Sequence, residues 1–228
     1  MKKLIIIILL LAINSCNSQT KKTYLLNNNE KEICNKMNLD STIIKELRHY
    51  NTNSIEIFHY SHSKMYSEGK VIELNPKKMN GLIFKETNRK SKPLVLKLKS
   101  KLKKVGYTIF LLEEHFNINN QKDIIAIVKT MDKYQILTQL ETNGYNYDID
   151  PKELQKIITK FDEKYDLELI GAAGDWCEFI INKKPDNWMS FAEEVYKICP
   201  DVVDQGTGTV KELAKEMKRS NRLYFWWD

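Results

Sequence analysis

Histidine and cysteine are scarce in this chain, four of each among 228 residues, and their placement excludes several kinds of chemistry. No Cys-x-x-Cys or His-x-x-x-His spacing occurs, so no zinc site is indicated and no cofactor is called for. His49, His59, His62 and His115 are dispersed. His59 and His62 fall on opposite faces of any strand, and no Ser or Cys is placed to pair with a histidine, so a nucleophilic triad is unsupported. Glycine is also sparse. The one glycine-rich turn, Gly206-Thr-Gly-Thr209, lacks both the Gly-Lys-Ser/Thr ending of a P-loop and the third glycine of a dinucleotide fingerprint. The longest apolar run, Leu4 to Ile13, has ten residues, about half of what a membrane-crossing helix needs.

What is present is an ordinary globular balance. Hydrophobic residues make up 42% and charged residues 29%, which is enough to bury one good core and excludes wholesale disorder. The formal net charge of +6 hides an uneven division. Residues 1–140 hold 24 Lys+Arg against 12 Asp+Glu, and residues 141–228 hold 12 against 18. A basic face toward anionic lipid or nucleic acid would explain the first half, and so would a set of solvated lysine-rich helices; the second explanation is preferred. The basic half lacks interleaved exposed aromatics, so no nucleic-acid partner is expected.

The N-terminus reads as an address. Met1-Lys2-Lys3 is followed by the apolar run and then by Ile13-Asn14-Ser15-Cys16. This order resembles the signal peptide and lipobox of bacterial lipoproteins, in which the cysteine becomes the acylated N-terminus. The resemblance implies a signal peptide over 1–15, lipidation of Cys16, and a protein held at the cell envelope by palmitate-type acyl chains outside the cytoplasm. Residues 16–38, rich in Asn, Lys and Gln, read as a polar tether. Cys34, Cys177 and Cys199 remain. Cys177 and Cys199 could pair, or Cys177 could be a small buried hydrophobe in its strand.

The body of the chain divides into an N-terminal α+β part, 39–118, and a C-terminal α+β domain, 119–228. Asp40 caps a helix over 42–50, and strands are expected at 54–60, 70–74 and 81–85. A helix follows from Pro93, in its first turn, to Lys104, stopped by Gly106. Strands at 107–112 and 123–128 precede a helix capped by Asp132. Thr142 to Asp148 is a turn-rich loop. Asp150-Pro151 opens a helix to 164; a strand pair at 167–172 and 176–181, an amphipathic helix over 188–198, a helix from Val210 and a closing strand complete the order. Several strands follow one another directly, which favours a single mixed sheet with packed helices, an α+β fold, over a doubly wound parallel one.

From about Gly81, and most clearly from Asp123 onward, the chain resembles the bacterial family known as domain of unknown function 4253. The residues that carry the resemblance are Thr142-Asn143-Gly144-x-Asn146-Tyr147, Asp175-Trp176-x-Glu178-Phe179, Ala192-Glu193-Glu194-x-Tyr196, Cys199-Pro200-Asp201-Val-Val-x-Gln205-Gly206-x-Gly208-Thr209 and Trp226-Trp227-Asp228. The resemblance implies no activity.

Within these segments lie the candidate site residues. Asp175, Glu178, Asp201, Asp204 and Asp228 could hold a hard cation or an acid–base couple if they converged; otherwise Asp175 and Asp201 serve turns, and Glu178 takes a lysine partner. Trp226 and Trp227 point to opposite faces of a strand, so one is core and the other is a candidate contact surface. Asn143, Asn146 and Tyr147 could line a pocket, and Gln205 sits beside the glycine-rich turn. Thr209-Val-Lys-Glu212 has the form of a capping box, which makes that turn a helix start. With a lipid anchor and few catalytic constellations, the expected function is a binding module for a protein or small molecule. A metal-assisted hydrolase built on Asp175, Asp201 and Asp204 is the alternative.

Overall fold

Apolar stretches of five to ten residues form seven strands that pair into one mixed sheet; the central ones are buried on both faces and the last one alternates. The architecture is that of a computed structural model describing residues 24–61, 63–67, 70–74, 77–116 and 118–228, with backbone alone for 63–67 and 70–74. The segment expected to be a signal peptide, 1–15, together with Cys16 and the start of the expected tether, lies outside the described residues. The strands are β1 (Ile55–Tyr60), β2 (Ser63–Ser67), β3 (Lys70–Leu74), β4 (Lys77–Glu86), β5 (Thr108–Glu113), β6 (Asp123–Val128), β7 (Leu167–Ala172), β8 (Trp176–Ile181) and β9 (Arg222–Trp226). The large sheet has the order β1-β4-β6-β5-β7-β8-β9, and β2 and β3 form a separate two-stranded ribbon. Among the described strands only β5 and β7 pair in parallel, with Leu111 opposite Gly171. The fold is therefore α+β with one mixed sheet, as expected.

Helices cover both faces. On one lie α1 (Asn28–Met37), α2 (Ser41–Leu47) and α3 (Asn88–Lys103), over a core built on Leu82, Phe84, Leu98, Ile125 and Ile127. On the other lie α4 (Lys133–Gln139), α5 (Pro151–Tyr165), α6 (Trp188–Ile198) and α7 (Val210–Ser220), packed around Phe110, Phe161, Phe179, Phe191 and Phe225. The first layer is uneven. Its helices pack chiefly on β1, β4, β5 and β6, so the strip of the same face formed by β8 and β9 is less thickly covered.

Three sequence expectations need correction. Residues 28–37, read as tether, form α1: Asn27 and Glu30 make a reciprocal capping box, and Ile33 and Met37 are buried. Polar composition concealed it, because the apolar side of this helix is only a few residues wide. Helix α3 begins at Asn88, so Pro93 lies inside it, one turn later than expected. Its first turn is fixed from across the fold, where Asp123 accepts from the Ser91 hydroxyl at 2.5 Å and from Asn88 at 3.3 Å. At α7, Thr209 accepts from the Glu212 N–H at 3.2 Å. The reciprocal half of the capping box is not made, because the Glu212 carboxylate pairs with Lys215 at 2.6 Å.

The two parts expected on either side of residue 118 share one sheet. Strand β5 lies between β6 and β7, so the C-terminal part completes its sheet only with a strand from the preceding part.

Candidate functional site

Ten of the eleven candidate residues separate into two places, and Asp204 joins neither. Most of them fasten the C-terminus. Asp201, 3% exposed, sits where the chain leaves α6 and receives three donors: the Tyr147 hydroxyl at 2.6 Å, the Gln205 amide at 3.0 Å and the Asp228 backbone N–H at 3.0 Å. Burial works against ionisation here, but these donors outweigh it and hold the carboxyl below its ordinary value. Asn146 donates to the Asp228 carbonyl. Asn143 donates to the carbonyls of Glu141 and Gly174 at 2.8 and 3.2 Å, tying its loop to the β7–β8 turn. Trp227 is buried, stacks on Phe225 with ring centroids 5.6 Å apart, and donates to the Ile198 carbonyl at 3.4 Å. These residues converge, and what they build is a clasp around the chain end.

Asp204 stands apart, exposed and accepting from the Tyr196 hydroxyl at 3.1 Å. Gly206 lies in a wide helical turn, Val202–Thr207, that Gly208 ends at φ 76°; Cys199 supports it from beneath, its thiol donating to the Trp226 carbonyl at 2.9 Å. Cys34, Cys177 and Cys199 are all free and buried. Among the described residues no group of three His, Cys, Asp or Glu side chains converges as a metal site requires. Asp175, Asp201 and Asp204 are thus not assembled into one centre.

Asp175, Glu178 and Trp226 belong to the second place, a cleft on the less covered part of the sheet. Pairing sets its floor: Trp176 lies opposite Trp226, Glu178 opposite Tyr224 and Ile180 opposite Arg222, and alternation turns all six toward the α3 side. Trp176 packs over Gly171, where a Cβ would meet its ring at 2.5 Å. One groove of ≈ 470 Å³ is bounded by Tyr60, Glu113, His115, Asp175 and Trp176. A second, of ≈ 490 Å³, is bounded by Lys92, Glu178, Leu213, Met217 and Arg222. Glu114, Phe116, Tyr224 and Trp226 line both, so the two grooves are contiguous. Phe116 is 64% exposed and has φ 49°, an uncommon backbone conformation for a bulky side chain.

A charge network underlies the cleft. Glu178 Oε1 accepts from Arg222 at 3.0 Å. Its Oε2 lies 3.0 Å from Lys92 Nζ, yet the pair lacks hydrogen-bond alignment, leaving that buried oxygen with a charge partner and no aligned donor. Lys92 also reaches Glu114 at 3.2 Å. Burial raises the Glu114 carboxyl above its ordinary value; Lys92 opposes this, and Glu178 and Asp123 reinforce it. Burial likewise raises the Tyr224 and Tyr60 hydroxyls, aided by the surrounding carboxylates, so both remain protonated donors at neutral pH. The lysine partner expected for Glu178 is present.

Lys92, Glu114, Phe116, Arg222 and Tyr224 were not singled out by the sequence. One signal was available: Glu178 and Arg222 are charges on the otherwise apolar inward side of adjacent strands. The register that pairs them was not.

An α+β protein with a clasped C-terminus and an aromatic, charge-floored cleft is the class these observations define. Residues 124–228 match the family described as Domain of unknown function (DUF4253), the family whose motifs the sequence resembles. No curated protein and no solved structure matches the chain.

Proposed function

We propose that the chain is a membrane-anchored lipoprotein whose extracytoplasmic domain is a binding module, with the cleft over β8 and β9 as its contact surface. The observation that carries this reading is the cleft itself. It is concave, of the size that small ligands occupy, and walled by aromatic side chains with a few placed polar groups. Phe116 adds a large exposed apolar surface in a strained conformation at the meeting point of the two grooves, a combination that favours contact with a partner molecule.

Anchoring rests on Lys2-Lys3, the apolar run and Ile13-Asn14-Ser15-Cys16. No helix among the described residues is long and apolar enough to cross a membrane. Tyr24 is already fixed to the domain, its hydroxyl 3.0 Å from Glu30. The eight Cα–Cα steps from Cys16 to Tyr24 reach roughly 28 Å at full extension, so an acylated Cys16 would hold the domain close to the bilayer.

Two measurements test the proposal. Palmitate incorporation is expected in the wild type and lost in Cys16→Ser; its absence from wild type, or survival in the variant, overturns the anchor. A fragment screen followed by amide chemical shifts is expected to concentrate its perturbations at Phe116, Tyr224 and Trp226. Perturbations scattered over the surface would overturn the binding cleft.

A further inference from the structure

We infer that the cleft takes a neutral carbohydrate, a short run of pyranose rings. This assignment rests on the cleft being the binding surface and adds the chemistry of its occupant.

The ions of the cleft are matched before any ligand arrives. Glu178 lies 3.0 Å from both Arg222 and Lys92, Lys92 reaches Glu114 at 3.2 Å, and Glu216 is bound by Arg219 at 2.7 Å. Glu113 and Asp175 have interactions of their own. A charged ligand would have to break or share such pairs, and a partly buried pair is costly to break.

What the pairs leave over is hydrogen-bonding capacity of both kinds. Arg222 spends one of its N–H groups on Glu178 and keeps the rest of its donor fork. The Tyr224 hydroxyl and the indole N–H groups of Trp176 and Trp226 have no hydrogen-bond partner among the described residues, although Trp176 is only 7% exposed. Beside them Glu178 Oε2 is an acceptor without an aligned donor. All of these side chains line the two contiguous grooves. A hydroxyl group donates and accepts at once and carries no charge. A row of hydroxyls therefore satisfies the donors and the acceptor together and leaves the ion pairs in place.

Aromatic faces give the second, independent reason. Trp226 and Tyr224 are half-buried on the cleft floor, Trp176 lies 5.8 Å from the Tyr224 ring, and Phe116, which lines both grooves, is 64% exposed. A pyranose ring carries hydroxyls at its rim and C–H groups on its face, and those slightly positive hydrogens pack against the negative face of an aromatic ring. A purely apolar ligand would use the rings and strand the polar groups, and an open-chain polyol would do the reverse. The sugar ring presents both surfaces in one unit. The grooves, of ≈ 470 and ≈ 490 Å³, continue into one another, so more than one ring can be seated.

The test uses the full chain in a non-ionic detergent without a sugar headgroup. It is titrated with cellotriose, maltotriose and tri-N-acetylchitotriose, with cyclohexanol as a ring lacking the row of hydroxyls, and with glycerol as hydroxyls lacking the ring. Binding is followed by tryptophan fluorescence and amide chemical shifts. At least one trisaccharide is expected to shift the Trp226 and Tyr224 resonances and to bind about tenfold more tightly than either control. Tyr224→Phe removes the unpartnered hydroxyl and keeps the ring; it is expected to weaken the sugar about fivefold and leave cyclohexanol unchanged. Phe116→Ala, at an exposed position, keeps the fold intact as a second variant and is expected to weaken the sugar severalfold. Silence of all three sugars, equal affinity for cyclohexanol at the cleft, or sugar binding unchanged in both variants would overturn the carbohydrate assignment while leaving the binding cleft standing. Sugar binding that maps away from the cleft would overturn both.

Discussion

Trp227 lies on Gly144. A Cβ at that glycine would come within 2.8 Å of three atoms of the indole. The Asn-Gly loop and the C-terminal tryptophan, eighty-three positions apart in the chain, thus share one close approach. Gly144 has φ −133°, so other residues could adopt its backbone and the requirement for glycine is spatial. Gly144→Ala is expected to destabilise by about 1–3 kcal/mol through overpacking. Urea denaturation checks this, with the midpoint lowered and the slope unchanged.

Asp201 anchors the same chain end through charge. Its folded-state value is depressed, so its contribution is complete above the unfolded value of about 3.9 and is lost as pH falls through the folded value. Asp201→Asn is expected to cost about 2 kcal/mol at neutral pH, since hydrogen bonds to a charged acceptor are lost or weakened. The gap between variant and wild type should narrow below about pH 4. Stability measured at pH 7, 5 and 3, by denaturant midpoint, gives the comparison; a gap independent of pH would remove the charge from the explanation.

Glu178 tests the network under the cleft. Its side chain is 5% exposed, against 24% for Lys92 and 25% for Arg222. Removing the carboxylate leaves two partly buried cations facing each other, and Glu178→Ala is expected to cost about 3–5 kcal/mol. Arg222→Met should cost less, because Lys92 still faces Glu178 and the methionine retains the apolar stem contacts. Thermal unfolding of both variants fixes the order, and a larger loss in Arg222→Met would contradict it.

The thiols give a chemical count. Burial raises Cys34 and Cys177, and Cys199 is pushed up to about 12 chiefly by burial. A raised value means little thiolate at neutral pH. In a Cys16→Ser background, native protein is expected to react slowly with a thiol reagent, and denatured protein to yield three equivalents. One equivalent would instead indicate a Cys177–Cys199 disulfide.

A fragment comprising residues 119–228 is expected not to fold alone. Without β5, strands β6 and β7 have no shared partner, and Leu111 is missing opposite Gly171. Far-ultraviolet circular dichroism through a thermal ramp should show no cooperative transition for the fragment and a clear one for residues 24–228. A sharp transition in the fragment would show that the segment matching the family is self-sufficient.

Local signals were legible where a single stretch of chain decides the outcome. Asp132, Asp150 and Asp40 cap the helices they were expected to cap, because a side-chain oxygen reaches its own N2 or N3 amide whatever surrounds it. Short apolar runs bounded by turn residues located β6 to β9 within a residue or two. Helix α1 escaped notice because its capping box and its few buried residues lie within a polar stretch, and the start of α3 escaped because its support, Asp123, comes from another strand.

At the site the same division holds. Alternation required Trp226 and Trp227 to face opposite ways, but which one is core followed only from the sheet, where Phe225 and the α6 end close over Trp227. The sequence by itself determined the pattern of strands and helices, the caps, and the N-terminal motif that suggests an anchor, since each is written in residues adjacent along the chain. Tertiary structure alone decided that Asp201 clasps the terminus while Glu178, Lys92, Glu114 and Arg222 floor a cleft. Their meeting depends on strand order and register, and those are fixed by the burial of two opposed apolar layers rather than by any local preference.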